Sequence, residues 1–488
     1  MHVSNLFPTH SLSQWLQKRR LLWLRLLIIG IVLLASVVVA LHGLSLKLAL
    51  LLIALPVALI GAAVLLRWPP LGFVLLIIAS HILKMEIIYV IGTAAVIASG
   101  LTALWLFDMA IIQRQFTLVK SRTIAPLILF ILITILAFIN GQLPWYPITA
   151  APMSGQIGGI LILVISVAVY LMVAHQVRDE RWLMAIVFTF ILVGAGMIFG
   201  RIIPFTLRLV MMIYSPTVAS GGMFWTWIIA LSFTQAWFNK SLHMRWRAAL
   251  MSVALGALYI SLGPARAWTS GWLPPLVALM VAMWVGAPRQ ALMATMLGGA
   301  VVLTQLQNLV NNLLYVGDNT YSQTTRLEAW RIIGEIVKVS PLLGLGPANY
   351  SHYTPLFPIL GWYVQFNSHN QYVDIVAQTG ILGLLCILWF AWEILRLAWR
   401  LRELVPKGGF LEAYVYGTLG GIMGTLAAGM LGDWYLPYVY NATIRAMRTS
   451  LLPWMFMGGL LAIEQMLLAR QREKGKGTIE SPIVHHQS

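Results

Sequence analysis

Apolar residues run along this chain in long, almost unbroken blocks. They show neither the alternation of a half-buried strand nor the three-and-four spacing of a surface helix. The blocks lie at about 21–41, 46–66, 71–84, 89–108, 124–140, 156–174, 182–200 and 222–238, then at 247–263, 270–286, 290–308, 373–395, 412–431 and 450–469. Most approach the ~20 residues that carry a helix across hydrocarbon. An open sheet leaves backbone groups unsatisfied in lipid, so each block is read as a helix. The block at 71–84 is the shortest, and His81, Lys84 and Glu86 crowd its end. The expected fold is all-α, a polytopic bundle of about 12–14 spans. One long interruption, 309–372, is mixed and polar enough to be an external loop.

Composition excludes a soluble globule. Hydrophobic residues make up 60% and charged residues 10% of the chain, with mean hydropathy +0.84. Soluble domains carry about 25% charged residues. The net charge of +17 is spread over the loops. That pattern fits orientation in a membrane rather than nucleic-acid binding. Loops starting with Lys18-Arg19-Arg20 and continuing through Arg67, Lys120, Arg122, Arg289, Arg400 and Lys407 form the richer side, expected inside with both termini. The division is therefore 1–20 cytoplasmic, 21–308 membrane, 309–372 external, 373–469 membrane and 470–488 cytoplasmic. The lone cysteine, Cys386, lies in an apolar run and says nothing firm about redox compartment.

The outer side keeps a few arginines against this bias. Arg201 and Arg208 lie within an apolar, glycine-flanked stretch at 200–222 that reads as a helix lying at the interface. Arg266 stands at a helix mouth between Pro264 and Trp268. In the long loop, Thr324 or Thr325 is expected to cap a helix running to Val339, with Glu328 completing a capping box. Arg326 and Trp330 share a face of that helix at i, i+4, and Ile332, Ile333, Ile336 and Val337 pack beneath it. Pro341 ends it, and Gly344 and Gly346 make turns with no phosphate-loop signature. The aromatic run from Tyr350 to Phe366 suits either sugar faces or a membrane-interface belt. His369-Asn370 closes the loop where the chain re-enters the membrane. Outer acids, among them Glu328, Glu335, Asp374 and Asp433, are scattered, and no metal-ligand spacing appears.

Three segments together resemble the signature region of the O-antigen ligase family. They are Thr325-Arg326-Leu327 with Trp330; Pro341-Leu342-Leu343-Gly344-Leu345-Gly346 with Asn349-Tyr350; and His369-Asn370-Gln371-Tyr372 with Gly380-Ile381-Leu382-Gly383. That family includes O-antigen and exopolysaccharide polymerases. The resemblance implies a glycosyltransferase on the outer face of a bacterial inner membrane that needs neither metal nor cofactor. Its donor is a glycan on a polyprenyl diphosphate, and its acceptor is a glycan or glycolipid hydroxyl such as that of lipid A core. It implies His369 as general base, with Asn370, Trp330 and Tyr372 in support. The diphosphate falls to Arg266 and Arg326, with Arg201 and Arg208 as further candidates. The match at Arg266 is partial, because Ala265 stands where the family has serine. A polymerase of the same family and a flippase or secondary transporter are the alternatives. A transporter is expected to carry charge mid-span, whereas this chain keeps it at helix ends and in one loop.

The charge bias generates a topology test. Cysteine placed at Gly317 is expected to react with a membrane-impermeant maleimide in intact spheroplasts, and cysteine at Arg289 or Lys407 only after permeabilisation. The reverse pattern sinks the orientation.

Overall fold

A computed structural model describes residues 46–82, 92–265, 268–304 and 319–477, together with Ile29, Gly30, Leu33 and Ser36. The chain divides into two compact units, Met1–Pro69 and Pro70–Ser488. The first contains helix α1, Leu46–Arg67, with Pro56 inside it.

The second unit is a helical bundle. Its elements are α2 (Leu71–Ile82), α3 (Thr93–Phe107), α4 (Ile124–Asn140), α5 (Met153–Gln176), α6 (Glu180–Ile202), α7 (Leu207–Ile213), α8 (Gly222–Trp237), α9 (Met244–Leu262), α10 (Thr269–Gly286), α11 (Pro288–Thr304), α12 (Asn319–Val337), α13 (Gln371–Leu404), α14 (Phe410–Gly429) and α15 (Met447–Gly477). Every expected span from residue 46 onward coincides with a helix, while 21–41 lies almost wholly outside the described residues. Among the described residues, six helical stretches are long and apolar enough to cross a membrane: Thr93–Ile112, Met153–Gln176, Glu180–Ile202, Thr269–Gly286, Gln371–Leu404 and Ile444–Arg472. The protein is an all-helical, polytopic membrane protein.

Helix α8 is buried on nearly all sides, including Trp225 and Trp227, and packs against α9, α10 and α14. A helix apolar all round belongs at the centre of a bundle. Helices α5 and α15 form a second close pair, and α4 packs along α13. Between α6 and α8 the chain makes a short turn, Pro204–Thr206, and then α7. Only Val210 of α7 is buried, while Phe205, Leu209, Met211 and Met212 are exposed. This is the apolar, glycine-flanked stretch expected at the interface.

The long loop departs from expectation in two places. Helix α12 already includes Asn319, so Thr324 and Thr325 lie inside it and do not cap it. Nothing in Asn-Thr-Tyr-Ser-Gln breaks a helix, and the turn continues upstream. Glu328 pairs instead with Arg331, one turn on, at 2.7 Å. As expected, Ile332, Ile333, Ile336 and Val337 are buried.

The second departure is in α13, which is not one straight helix. Gly380, at φ +68 and ψ −173, breaks it one-third of the way along. The Pro341–Gly346 segment inserts at the break. Leu345 N–H donates to the Ala377 carbonyl (2.9 Å) and Gly346 N–H to the Gln378 carbonyl (3.1 Å). In return, Ile381 N–H donates to the Pro341 carbonyl (2.9 Å) and Leu382 N–H to the Leu342 carbonyl (3.3 Å). Backbone groups freed by the break are thus paired by the loop, which a low-dielectric surrounding demands. Gly344, at φ +67, passes so close that a Cβ there would lie 2.6 Å from Gly380 N. The end of α4 joins the same knot: Asn140 donates to Ser340 Oγ (2.9 Å) and the Gly344 carbonyl (2.8 Å). Buried Asn349 donates to the Gly141 carbonyl and accepts from Ala151 N–H.

Gly380→Ala adds a methyl that overlaps the Leu342 backbone and forces a left-handed alanine. The expected loss is on the order of 3 kcal/mol, read as a lowered melting temperature in detergent. Gly298→Ala, which meets open space in α11, is expected to leave melting unchanged. Equal melting for both variants would refute the interlock.

Candidate functional site

His369 stands between the long loop and α13 in the left-handed region, at φ +46. A histidine held there costs on the order of 1–3 kcal/mol unless its surroundings fix it. Here both neighbours are fixed. The Ser368 carbonyl accepts from Trp330 Nε1 at 2.7 Å, and Ser368 N–H donates to Tyr350 Oη at 3.2 Å. Ser368 Oγ accepts from Asn370 N–H (2.9 Å) and reaches the Asn370 carbonyl (2.8 Å) and Asp374 Oδ1 (2.7 Å). Asn370 caps α13, its Oδ1 accepting from Tyr372 N–H (2.9 Å) and Val373 N–H (3.2 Å), while its Nδ2 donates to the Met430 carbonyl at 3.3 Å. His369 N–H donates to Asn367 Oδ1 at 3.2 Å. The clamped backbone carries an exposed imidazole whose ring makes no hydrogen bond among the described residues.

Arg326 approaches the same place from α12. Its Nη1 donates to the Leu431 carbonyl at 3.4 Å, and its Nε is buried with no acceptor. Ser270 Oγ, at the start of α10, donates to that same Leu431 carbonyl at 3.3 Å. Trp268 packs edge-on against Trp434, with ring centroids 5.6 Å apart. The Met430–Leu431 turn therefore gathers Asn370, Arg326 and the mouth of α10. Arg266, two residues before Trp268, lies outside the described residues. Arg201 ends α6, half-buried with its Nε unpaired, and Arg208 is exposed on α7. No described hydrogen bond links either of them to Arg326 or His369. Tyr372 turns away from the histidine and donates to the Leu426 carbonyl at 2.7 Å.

Electrostatics favours an uncharged imidazole. Protein packed against His369, and then the Arg326 guanidinium, hold its pKa below the ordinary value. Burial likewise lowers that of Arg326. His352, the other histidine of the loop, packs against the Tyr440 ring at 5.0 Å, with its Nε2 buried and unpartnered.

A buried polar layer under the histidine was not readable from sequence. Asp374 is 1% exposed; its Oδ1 takes hydrogen bonds from Ser368 and, very closely, Tyr350, while Oδ2 has no partner. Tyr350 packs on Tyr438 with centroids 4.8 Å apart, and Tyr438 donates to the Ala348 carbonyl. Asp433, also buried, accepts from Tyr438 N–H and Asn441 Nδ2, each at 2.6 Å. Burial pushes the Asp433 carboxyl up to about 6 against those two hydrogen bonds. Sequence showed these acids 59 residues apart (433 − 374) and so unrelated; the fold places each within electrostatic reach of the other. The only sequence signal was Tyr350 and Ser368 flanking the motif. Of the loop aromatics, Tyr350 and Tyr353 are core, whereas Trp362 and Tyr363 are exposed. Among the described residues no three His, Cys, Asp or Glu side chains gather as a metal site.

These features define a polytopic helical membrane protein with a histidine and an arginine presented at one loop–helix junction. Residues 247–388, which run from α9 to the middle of α13 and include Arg266, Arg326 and His369, match the family model described as O-antigen ligase. That stretch, 142 of the 488 residues (388 − 247 + 1), is similar to the O-antigen ligase family. It has no match among curated proteins.

Titration of ¹³C-labelled histidine, with His369→Gln identifying the resonance, is expected to give a midpoint below the ordinary ~6.5. Arg326→Gln removes the cation and moves that midpoint upward, though not fully, because burial remains. A midpoint above the ordinary value, or one indifferent to Arg326, contradicts the electrostatic pairing.

Proposed function

We propose that this protein is a glycosyltransferase that moves a glycan from a polyprenyl diphosphate to an acceptor hydroxyl, such as that of lipid A core, on the outer face of the bacterial inner membrane. The observation that carries the reading is an imidazole on a clamped, left-handed backbone beside a guanidinium with an unfilled buried donor.

Each group has a role in one displacement. His369 takes the proton of the acceptor hydroxyl as its oxygen bonds to the anomeric carbon. The bond from that carbon to the diphosphate breaks, and the electron pair leaves with the diphosphate. Arg326 and Arg266 pair with its oxygens, since guanidinium forks match phosphate and stay charged. Arg201 and Arg208 are further candidates for holding the diphosphate. Asn370 and Trp330 act through the backbone of His369, and Tyr372 through the start of α13. The proton goes to an imidazole and the charge to guanidinium groups, so the reaction needs no metal in this scheme. An acceptor that is itself lipid-linked turns the same chemistry into polymerisation.

His369→Ala is expected to insert and bind the lipid-linked donor yet transfer about 10²–10⁴-fold more slowly. Arg326→Lys keeps charge but loses the fork, and is expected to weaken donor binding as well as transfer. Transfer by His369→Ala at the wild-type rate removes the histidine from the chemistry. Long lipid-linked polymer accumulating in a deletion strain marks a ligase, and single repeats on the final acceptor mark a polymerase.

A further inference from the structure

One cavity is remote from this site. It measures about 990 Å³ and lies between α10, α13, α14, α15 and the segment that leads into α4. Past its break at Gly380, helix α13 runs on to Leu404, ~36 Å at 1.5 Å per residue. The cavity touches only its last third, from Trp392 to Glu403, at the end opposite His369. Its volume lies near the top of the ~300–1,000 Å³ range of ligand pockets.

The lining is mixed. Lys120 and Arg122, just before α4, and Arg396 and Arg400, near the end of α13, supply its cations. Val281, Val285, Leu419 and Met423 supply an apolar wall. Trp392 and Trp399, 61% and 52% exposed, flank the opening as interfacial tryptophans do.

Charge accounting leaves a cationic surplus. Glu393 faces Arg396 at 3.9 Å, Glu403 pairs with Arg402 at 2.8 Å, and Glu464 pairs closely with Arg400. Lys120 and Arg122 are exposed and have no carboxylate partner among the described residues. A cleft with spare cations and an apolar wall matches a molecule with an anionic head and hydrocarbon tails.

We propose that this cleft binds an anionic phospholipid of the leaflet opposite His369, its phosphodiester between Lys120 and Arg122 and an acyl chain along Val281, Leu419 and Met423. The site is separate from the glycosyl-transfer centre, and its occupancy is read without any transfer assay. A lipid wedged among four helices and the segment before α4 holds their ends together.

The test uses the full chain in nanodiscs of phosphatidylcholine with a minor share of phosphatidylglycerol. Co-purifying lipid is counted by native mass spectrometry. Wild type is expected to retain phosphatidylglycerol over phosphatidylcholine. Lys120→Ala with Arg122→Ala is expected to lose about tenfold of that preference, and Lys120→Arg with Arg122→Lys to keep it. Val281→Trp adds bulk at the apolar wall without touching charge and is expected to expel the lipid. Retention by the alanine pair equal to wild type overturns the proposal, as does retention by Val281→Trp. Displacement of the bound lipid by millimolar inorganic phosphate would identify a plain anion site instead.

Discussion

The half of the bundle that carries His369 depends on one exchange of backbone hydrogen bonds. Helix α13 breaks at Gly380, and the Pro341–Gly346 segment supplies the partners that the break leaves open. Neither segment is satisfied alone. An unpaired amide in an apolar surrounding costs several kcal/mol, about 1–3 even by protein mutational measures. The two therefore fold together or not at all. Because α4 contributes Asn140 to the same knot, a loop that would otherwise drift is bolted to two membrane helices. The start of α13, and with it His369, inherits that rigidity.

Above the knot, rigidity is passed on by polar groups that avoid exposing charge. Asp374 sits beneath Ser368 and is held by two hydroxyls rather than by a cation. Tyr350 and Tyr438 lie between it and the segment carrying Asp433. Hydroxyl–carboxylate bonds leave the acid satisfied without a cation. A salt bridge in the same place would occupy an arginine. Arg326 beside the histidine keeps a buried donor unfilled, while the acids are occupied in shaping the loop.

Much of the fold was legible, because lipid imposes a uniform demand. About 20 apolar residues per crossing are needed whatever the protein does, and the helices from Leu46 to Gly477 appear where those runs lie. What lipid does not impose was not legible. Gly380 looks like any glycine in an apolar run; Gly298, in another such run, faces open space, whereas Gly380 faces the Leu342 backbone. The cap proposed at Thr324–Thr325 failed because the residues before it also favour helix, and local pattern cannot say where a helix stops if nothing breaks it. At the site, the shared face of Arg326 and Trp330 followed from spacing alone, and both side chains do turn towards the junction. What the spacing did not show is that the Asn370 amide caps α13 and reaches the Met430 carbonyl. The buried acids escaped because their relation is purely tertiary.

The left-handed backbone at His369 sets stability against activity. Glycine would occupy φ +46 without strain, so a chain with glycine there would fold more easily than this one. It would also have no imidazole to present. The conformational cost of the histidine is recovered by the Trp330, Tyr350 and Asn370 hydrogen bonds around it. Selection for stability alone would not keep the histidine. A position that structure alone would improve is therefore one that the proposed chemistry cannot spare.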